Sequence, residues 1–403
     1  MPGKVVEQGA PQRHAGAPKP VLSPQDLGQV NRLRVMQALV DRGPLSRAEL
    51  ARVLGVPRAS VGTIANLLLA DGILAEEPTR TGGRGKPATP LWFAESAGLT
   101  GAVSIESSRV VVGLVNARGQ VQHAQEVAIE PAIGAEELDA VVLGLIADVL
   151  GEQVEHLGGI GLVVPAQCRP SDSLVELCTI IPSLTGSALP ALIEGATGRP
   201  VWLEQDVRAL AAAERWFGTG RGASSFAVLQ IDLGVGVGVV VDGYVFPGQE
   251  VPSPQYGHTC VDIDGLQCTC GLTGCWETVA SLAWLRDRAS QRGITDAASL
   301  TPSALDRASQ EGDESAEELL AEFAGNLAVG LANVVHALRT PRIVLQGSLA
   351  EVGEGFAARL RERVRDRLTT AEELDVVPTE LGGQTLLLGA CATVLSHTLG
   401  IRV

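Results

Sequence analysis

Apolar residues near the start of the chain recur at helical spacing. Leu27, Val30, Leu33, Met36, Ala38, Leu39 and Val40 follow one another between Ser23-Pro24 and Gly43-Pro44. A stripe of this kind buries one face of a helix. Serine as N-cap, proline at the first helical position and Asp26 in the first turn open it, and Gly-Pro closes it. Ser46-x-x-Glu49 is a capping box, in which hydroxyl and carboxylate satisfy each other's backbone N–H, and it starts a second helix through Leu54. Gly55 turns the chain, and Pro57 starts a third helix with Val61, Ile64, Leu67 and Leu68 expected inward. Two short helices joined at a glycine predict a helix-turn-helix.

On the outer side of that third helix lie Arg58, Ala59, Ser60, Thr63 and Asn66, small and polar enough to approach base edges. Ile73-Leu74-Ala75 and Leu91-Trp92-Phe93 predict two paired strands around the loop TRTGGRGKPATP. Its Arg80, Arg84 and Lys86 suit a wing laid along phosphates or into a minor groove. The plainer alternative is a solvated loop on a helical dimerisation domain. Capping box, glycine turn, outward polar helix and basic loop occur in the order of a winged helix-turn-helix, which we assign to residues 23–94. Residues 1–22, rich in Pro, Gly, Ala and Gln without periodicity, predict a disordered arm.

From residue 99 the period changes to that of strands. Ala102 to Ile105, Val110 to Val115 and Val121 to Ile129 predict three consecutive strands, followed by a helix from Glu136 to Leu150. Next come a strand at Ile160 to Val164, a helix at Leu189 to Ala196, a strand at Val201 to Leu203 and a helix at Val207 to Phe217. Phe226 to Ile231 and Val235 to Val241 again predict paired strands. This alternation is that of an α/β sheet covered by helices. The repeated strand-rich opening predicts two related lobes with a ligand cleft between them. Farther on the chain becomes mainly helical. Glu311 to Glu322 are expected to be a solvated helix face, and Ile343 to Leu345 a buried strand.

Charge divides the chain in the same place. Residues 1–90 hold 12 Lys and Arg against 7 Asp and Glu, a net +5; the remainder of the −15 total is therefore −20. A basic head on an acidic body implies that only the head meets a polyanion. No run of eighteen uninterrupted apolar residues occurs, and the first residues lack the apolar core of a signal peptide. A soluble, cytoplasmic protein without a membrane partner is expected.

His258, Cys268, Cys270 and Cys275 concentrate one imidazole and three thiols within eighteen residues. That set suits a closed tetrahedral zinc site, with Gly271 and Gly274 letting the chain curl between the last two sulfurs. The alternatives are unrelated residues or a disulfide. Cys268 and Cys270 are too close in sequence to pair easily, and an intracellular chain is kept reduced. Cys168, Cys178, Cys260 and Cys391 are expected to be small buried residues.

The glycine-tailed strand pair, Tyr256-Gly257-His258 and Cys268-x-Cys270-Gly271-x-x-Gly274-Cys275-x-Glu277 together resemble the ROK family of repressors and sugar kinases, and the head resembles its transcriptional regulators. The resemblance implies an actin-like, ribonuclease-H-like pair of lobes over residues 95–403, a structural zinc, and a homodimer or possible tetramer. Kinase members have an Asp-x-Gly-x-Thr loop where this chain reads Ser104-Ile105-Glu106-Ser107-Ser108. They have Gly-Thr-Gly-x-Gly where it reads Asp232-Leu233-Gly234-Val235-Gly236, and Gly-Gly where it reads Gln346-Gly347. Carboxylates stand where phosphate would approach, so catalysis with ATP is not expected. The same resemblance places Ser183, Gln205, Asp206, Arg208, Gln255, His258 and Glu277 on sugar-contacting positions. Asp206 alternatively caps its helix. Arg208 either grips an effector phosphate or pairs with Glu204 or another carboxylate. The implied function is a regulator, a repressor, that binds a double-stranded DNA operator and answers to a sugar or sugar phosphate. The alternatives are a sugar kinase with an added head, or a module that answers to a protein partner.

Overall fold

The computed structural model describes residues 24–78, 89–247, 251–369 and 373–401. The N-terminal arm and the loop carrying Arg80, Arg84 and Lys86 lie outside the described residues.

The head forms around helices Pro24–Arg42, Arg47–Leu54 and Arg58–Ala70. Both halves of the capping box are made: the Glu49 carboxylate accepts from the Ser46 N–H at 2.8 Å, and the Ser46 hydroxyl accepts from the Glu49 N–H. Gly55 turns the chain at φ 67°, a conformation costly for any side chain-bearing residue. Strands Leu74–Glu76 and Pro90–Phe93 pair antiparallel, Leu74 opposite Phe93, with the short strand Leu45–Ser46 on the other side of the latter. Val35, Leu39, Leu50, Val61, Leu68, Leu91 and Phe93 fill the core. Leu67 departs from expectation and is 49% exposed. The inward stripe of its helix is Val61, Ala65 and Leu68, and at about 100° per residue Leu67 falls beside it rather than on it.

The body is two five-stranded sheets of one topology. In the first, strands Leu99–Ile105, Arg109–Asn116 and Val121–Ala128 form an antiparallel meander. Leu157–Val164 and Val201–Gln205 then add in parallel beyond its first strand. In the second, Phe226–Ile231, Val235–Val241 and Tyr244–Phe246 form the meander, and Arg342–Gly347 and Asp375–Pro378 add in parallel beyond its first strand. The two openings that the sequence suggested are thus the starts of two equivalent lobes.

Helix Thr385–Leu399 lies on the first sheet, helix Asp206–Trp216 lies on the second, and the two pack on each other. Glycines make the packing close: a Cβ at Gly389 would overlap the Ala209 carbonyl, and one at Gly238 would overlap the Val207 carbonyl. The helix Asp206–Trp216 is therefore clamped on two sides by backbone. Helix Glu314–Leu338 has the length and apolarity to cross a bilayer, but most of it is buried in the core of the second lobe. The acidic stretch Glu311 to Glu322 spans a junction and runs into this helix: Glu311 ends the preceding helix, and the Asp313 carboxylate caps this one, accepting from the Ala316 N–H.

Candidate functional site

Arg58, Ser60, Thr63 and Asn66 are all exposed on the third head helix. The Thr63 hydroxyl donates to the Ala59 carbonyl one turn back, and the Asn66 side-chain oxygen accepts from Arg47 at 3.3 Å. Arg47 also pairs with Glu76 at 2.8 Å, which ties the second helix to the third and to the following strand. Arg52 is exposed on the second helix and, like Arg58, enters no ion pair among the described residues. Arg52 is an exposed cation of the head that the sequence pattern alone does not single out.

Between the lobes lies a cleft of about 610 Å³. Gln205, Asp206, Gln255, His258 and Glu277 line it, as the resemblance implied. Ser183 and Arg208 do not line it. Arg208 corrects one of the two readings: its side chain is 3% exposed and its guanidinium grips Glu204 at 2.6 Å, with a further hydrogen bond to the Pro247 carbonyl. It is held inside the protein by a buried carboxylate one helical turn away, and no phosphate in the cleft reaches it. Cys260 is another correction. It is exposed, whereas Cys168, Cys178 and Cys391 are buried; its position in the loop after His258, where strand pairing is reduced to an isolated bridge to Cys275, turns it outward.

Carboxylates dominate the electrostatics of the cleft. Glu106, Asp206, Asp232 and Glu277 line it, and among the described residues no lysine or arginine does. The segments 104–108 and 232–236 are occupied by the protein's own hydrogen bonds. Ser107 of the first lobe donates to the Asp232 carboxylate of the second at 2.7 Å, and Glu106 accepts from Ser104 and is held by Arg109 at 3.0 Å. Gln346 is likewise turned inward, donating to the buried Glu214 at 2.6 Å. Asp206, at the start of its helix, accepts from the Val207 N–H at 2.7 Å. Burial, followed by the nearby charges of Asp232 and Glu106, pushes its carboxyl up to about 7.

Three residues that line this space each carry an amide atom that is buried without a hydrogen-bond partner: Gln205 Oε1, Gln230 Oε1 and Gln255 Nε2. Gln230 had no signal in the sequence beyond being a polar residue inside an apolar strand. The hairpin of Gln167–Arg169 and Leu174–Leu177, which helps wall the cleft, was also unforeseen.

The cluster His258, Cys268, Cys270 and Cys275 closes the other wall. One ligand atom from each lies within 4.8 Å of all the others, a set that can hold a metal ion. Cys270 and Cys275 sulfurs are 3.7 Å apart, and the His258 Nδ1 is 3.6 Å from the Cys268 sulfur. Two sulfurs of a zinc tetrahedron, each about 2.3 Å from the ion, are separated by roughly 3.8 Å. The donor set and its spacing therefore fit zinc. Glu277 joins cluster to cleft, its Oε1 accepting from the Cys268 thiol at 2.9 Å and lying 3.5 Å from His258 Nδ1.

At the far end of the helix that begins with Asp206, the body meets the head. Arg215, its side chain 5% exposed, pairs with Asp41 of the first head helix at 2.6 Å. The Trp216 ring lies 5.9 Å from that of Phe93, and the Arg221 guanidinium sits over Trp92. Arg118 adds a second tie, donating to the Phe93 carbonyl and pairing with Glu77 at 2.6 Å. A cavity of about 410 Å³ opens beside the first tie, lined by Asp41, Arg42, Arg215, Ser224, Asp242 and Tyr244 among others.

Residues 100–397 match the ROK family, and residues 18–85 match the MarR family. The xylose repressor of Caldicellulosiruptor bescii is 24% identical over 394 residues, spanning 93% of this chain and 97% of that protein. The DNA-binding transcriptional repressor Mlc of Escherichia coli is 26% identical over 375 residues, spanning 90% and 92%. A crystal structure of a ROK family transcriptional regulator, a homologue of the E. coli Mlc protein, shares the fold. It superposes with a TM-score of 0.74 at 24% identity over 93% of this chain and 98% of its own. The ROK match runs through both lobes and every element of the cleft between them, and the chain belongs to the ROK family.

Proposed function

We propose that this chain is a sugar-responsive, DNA-binding transcriptional repressor of sugar uptake or catabolism genes. The observation that carries this reading is the single helix Asp206–Trp216. Its first residue lines the cleft, its last turn is bonded to the head, and backbone contacts clamp it between. Eleven residues at 1.5 Å each give a rod of about 16 Å. A ligand that binds one lobe arrangement better than another shifts the rod, and the head bonded to its far end follows.

On the DNA side, Arg58, Ser60, Thr63 and Asn66 are the base-facing set, with Arg80, Arg84 and Lys86 assigned to the wing. We assign zinc to His258, Cys268, Cys270 and Cys275. When bound, zinc supplies cross-linking rather than catalysis, pinning the loop that carries the His258 and Glu277 side of the cleft. A cytoplasmic homodimer on a palindromic operator, with half-sites about one helical turn apart, completes the proposal. The kinase alternative is opposed by Glu106 and Asp232, which put negative charge where phosphate and its metal need loop glycines and a free carboxylate. Genome-wide footprinting of the purified full chain tests the reading. Selective protection of sites near sugar genes, lifted by a sugar, is expected. Equal affinity for random DNA, or ATP-dependent phosphorylation of a hexose at about 1 per second or faster, would overturn it.

A further inference from the structure

Resting on that reading, we infer that the effector is an uncharged sugar rather than a sugar phosphate, and that Gln230 reads one of its hydroxyls. Two independent observations carry this. The first is charge: Glu106, Asp206, Asp232 and Glu277 line the cleft, while Arg208 and Arg109 are both paired with carboxylates. Arg208 is buried on Glu204, and Arg109 is bonded to Glu106 and Glu126. A phosphate brought into this space gains no cationic partner and meets several carboxylates, an arrangement that suppresses an anion strongly. The loops that in a nucleotide-binding relative would cradle phosphate are joined across the cleft by the Ser107 to Asp232 hydrogen bond.

The second observation is the set of neutral polar atoms. Gln205, Gln230 and Gln255 line the cleft, and Gln205 Oε1, Gln230 Oε1 and Gln255 Nε2 are buried without a hydrogen-bond partner. Buried polar groups without partners are costly, and sites that leave them facing a cavity are built to be completed by a ligand's own donors and acceptors. Two acceptors and a donor suit hydroxyl groups, each of which both donates and accepts. A fully ionised phosphate only accepts, so the phosphate group itself satisfies neither glutamine oxygen. Gln205 is 7% exposed, so its orphan oxygen has little recourse to bulk water.

The test is calorimetric titration of the full zinc-loaded chain with matched pairs: pentoses, hexoses and N-acetylhexosamines as free sugars, and each as its phosphate ester. At least one free sugar is expected to bind, with its ester about 100-fold weaker or more, about 2.7 kcal/mol. Gln230→Ala is expected to weaken that sugar about tenfold while metal content and melting temperature stay unchanged. Asp232→Asn keeps an acceptor for Ser107 but removes a charge, and is expected to narrow the gap between sugar and ester. An ester that binds as tightly as its free sugar overturns this inference and leaves the sugar-sensing reading standing. Binding of no pair member overturns both. An unchanged affinity in folded Gln230→Ala removes Gln230 from the site.

Discussion

Asp41→Asn is the perturbation that addresses the head–body tie most directly. It keeps side-chain size and removes the charge facing Arg215. The pair is asymmetric, since the cation's side chain is 5% exposed and the anion's 40%. Breaking a buried pair from one side costs about 3–5 kcal/mol, because a charge is left without a partner. An exposed pair contributes about 0–1 kcal/mol. Solvent reaches Asp41 and weakens its hold, so the expected loss lies between these, about 1–2 kcal/mol. Burial already lowers the pKa of Arg215 against the opposing pull of Asp41. Removing Asp41's charge leaves the desolvation uncompensated. Arg215→Met deletes the buried charge while filling similar space, and should cost less than Asp41→Asn.

A double-mutant cycle of these two substitutions under denaturant, followed by tryptophan fluorescence, measures the tie. Trp92 and Trp216 stand at the junction and report its opening. A coupling of about 1–2 kcal/mol is expected, with the double variant resembling Arg215→Met alone. A coupling under about 0.3 kcal/mol, the range in which unconnected sites add, would refute the reasoning. In operator titrations the same variant should bind DNA without effector nearly as wild type does, but lose much of its response to the effector. Loss of DNA binding itself would make Asp41 part of the DNA interface instead.

Elemental analysis should find about one zinc per chain, and Cys270→Ser should lose both the metal and the effector response; a Cys270→Ser protein that retains its metal sinks the assignment. Arg58→Ala should relax base preference in the operator at a cost of about 1–3 kcal/mol, whereas an equal loss on random DNA would make Arg58 a phosphate contact. Asp206, raised in the fold from 3.8 to about 7, stabilises the fold fully below its unfolded pKa, and this contribution is lost as the pH rises through 7. The melting temperature of Asp206→Asn relative to wild type should therefore climb between pH 4 and about 7.5. A difference that stays flat across that window would show that Asp206 is ionised throughout.

What was legible in the sequence is what is decided locally. Ser46 and Glu49 satisfy each other within one turn, Gly55 is tied to a positive φ, and the strand pairs around Asn116 and between Ile231 and Val235 need only neighbouring residues. The cluster of His258, Cys268, Cys270 and Cys275 was legible because all four side chains fall in one short stretch. Leu67 was misplaced by counting apolar residues without weighing which lie on the stripe of Val61, Ala65 and Leu68. Arg208 was open between two roles because both need an arginine in that first turn. Only the third dimension shows its side chain turned onto Glu204. Gln230 and Arg215 carried no signal, since a glutamine in a strand and an arginine in a helix are ordinary until a cleft or a distant Asp41 is placed beside them.

The cleft and the head tie are connected through one element, the helix Asp206–Trp216. In a phosphoryl-transfer enzyme the hinge between lobes must open and close around a nucleotide, and the two loops on either side of it must stay available to phosphate. Here the loops are spanned by Ser107 and Asp232, a contact that exists only when the lobes are near each other. The helix Asp206–Trp216 extends from Asp206 in the cleft to Arg215 beneath the head. A sugar that satisfies Gln205, Gln230 and Gln255 stabilises whichever lobe arrangement presents all three together, and the difference in its affinity for the two arrangements is all the energy available to move the head. A tenfold difference supplies about 1.4 kcal/mol, comparable with the about 1–2 kcal/mol argued for the Asp41 tie. Because the two are of one size, the tie is strong enough to transmit the change and weak enough for the ligand to redistribute.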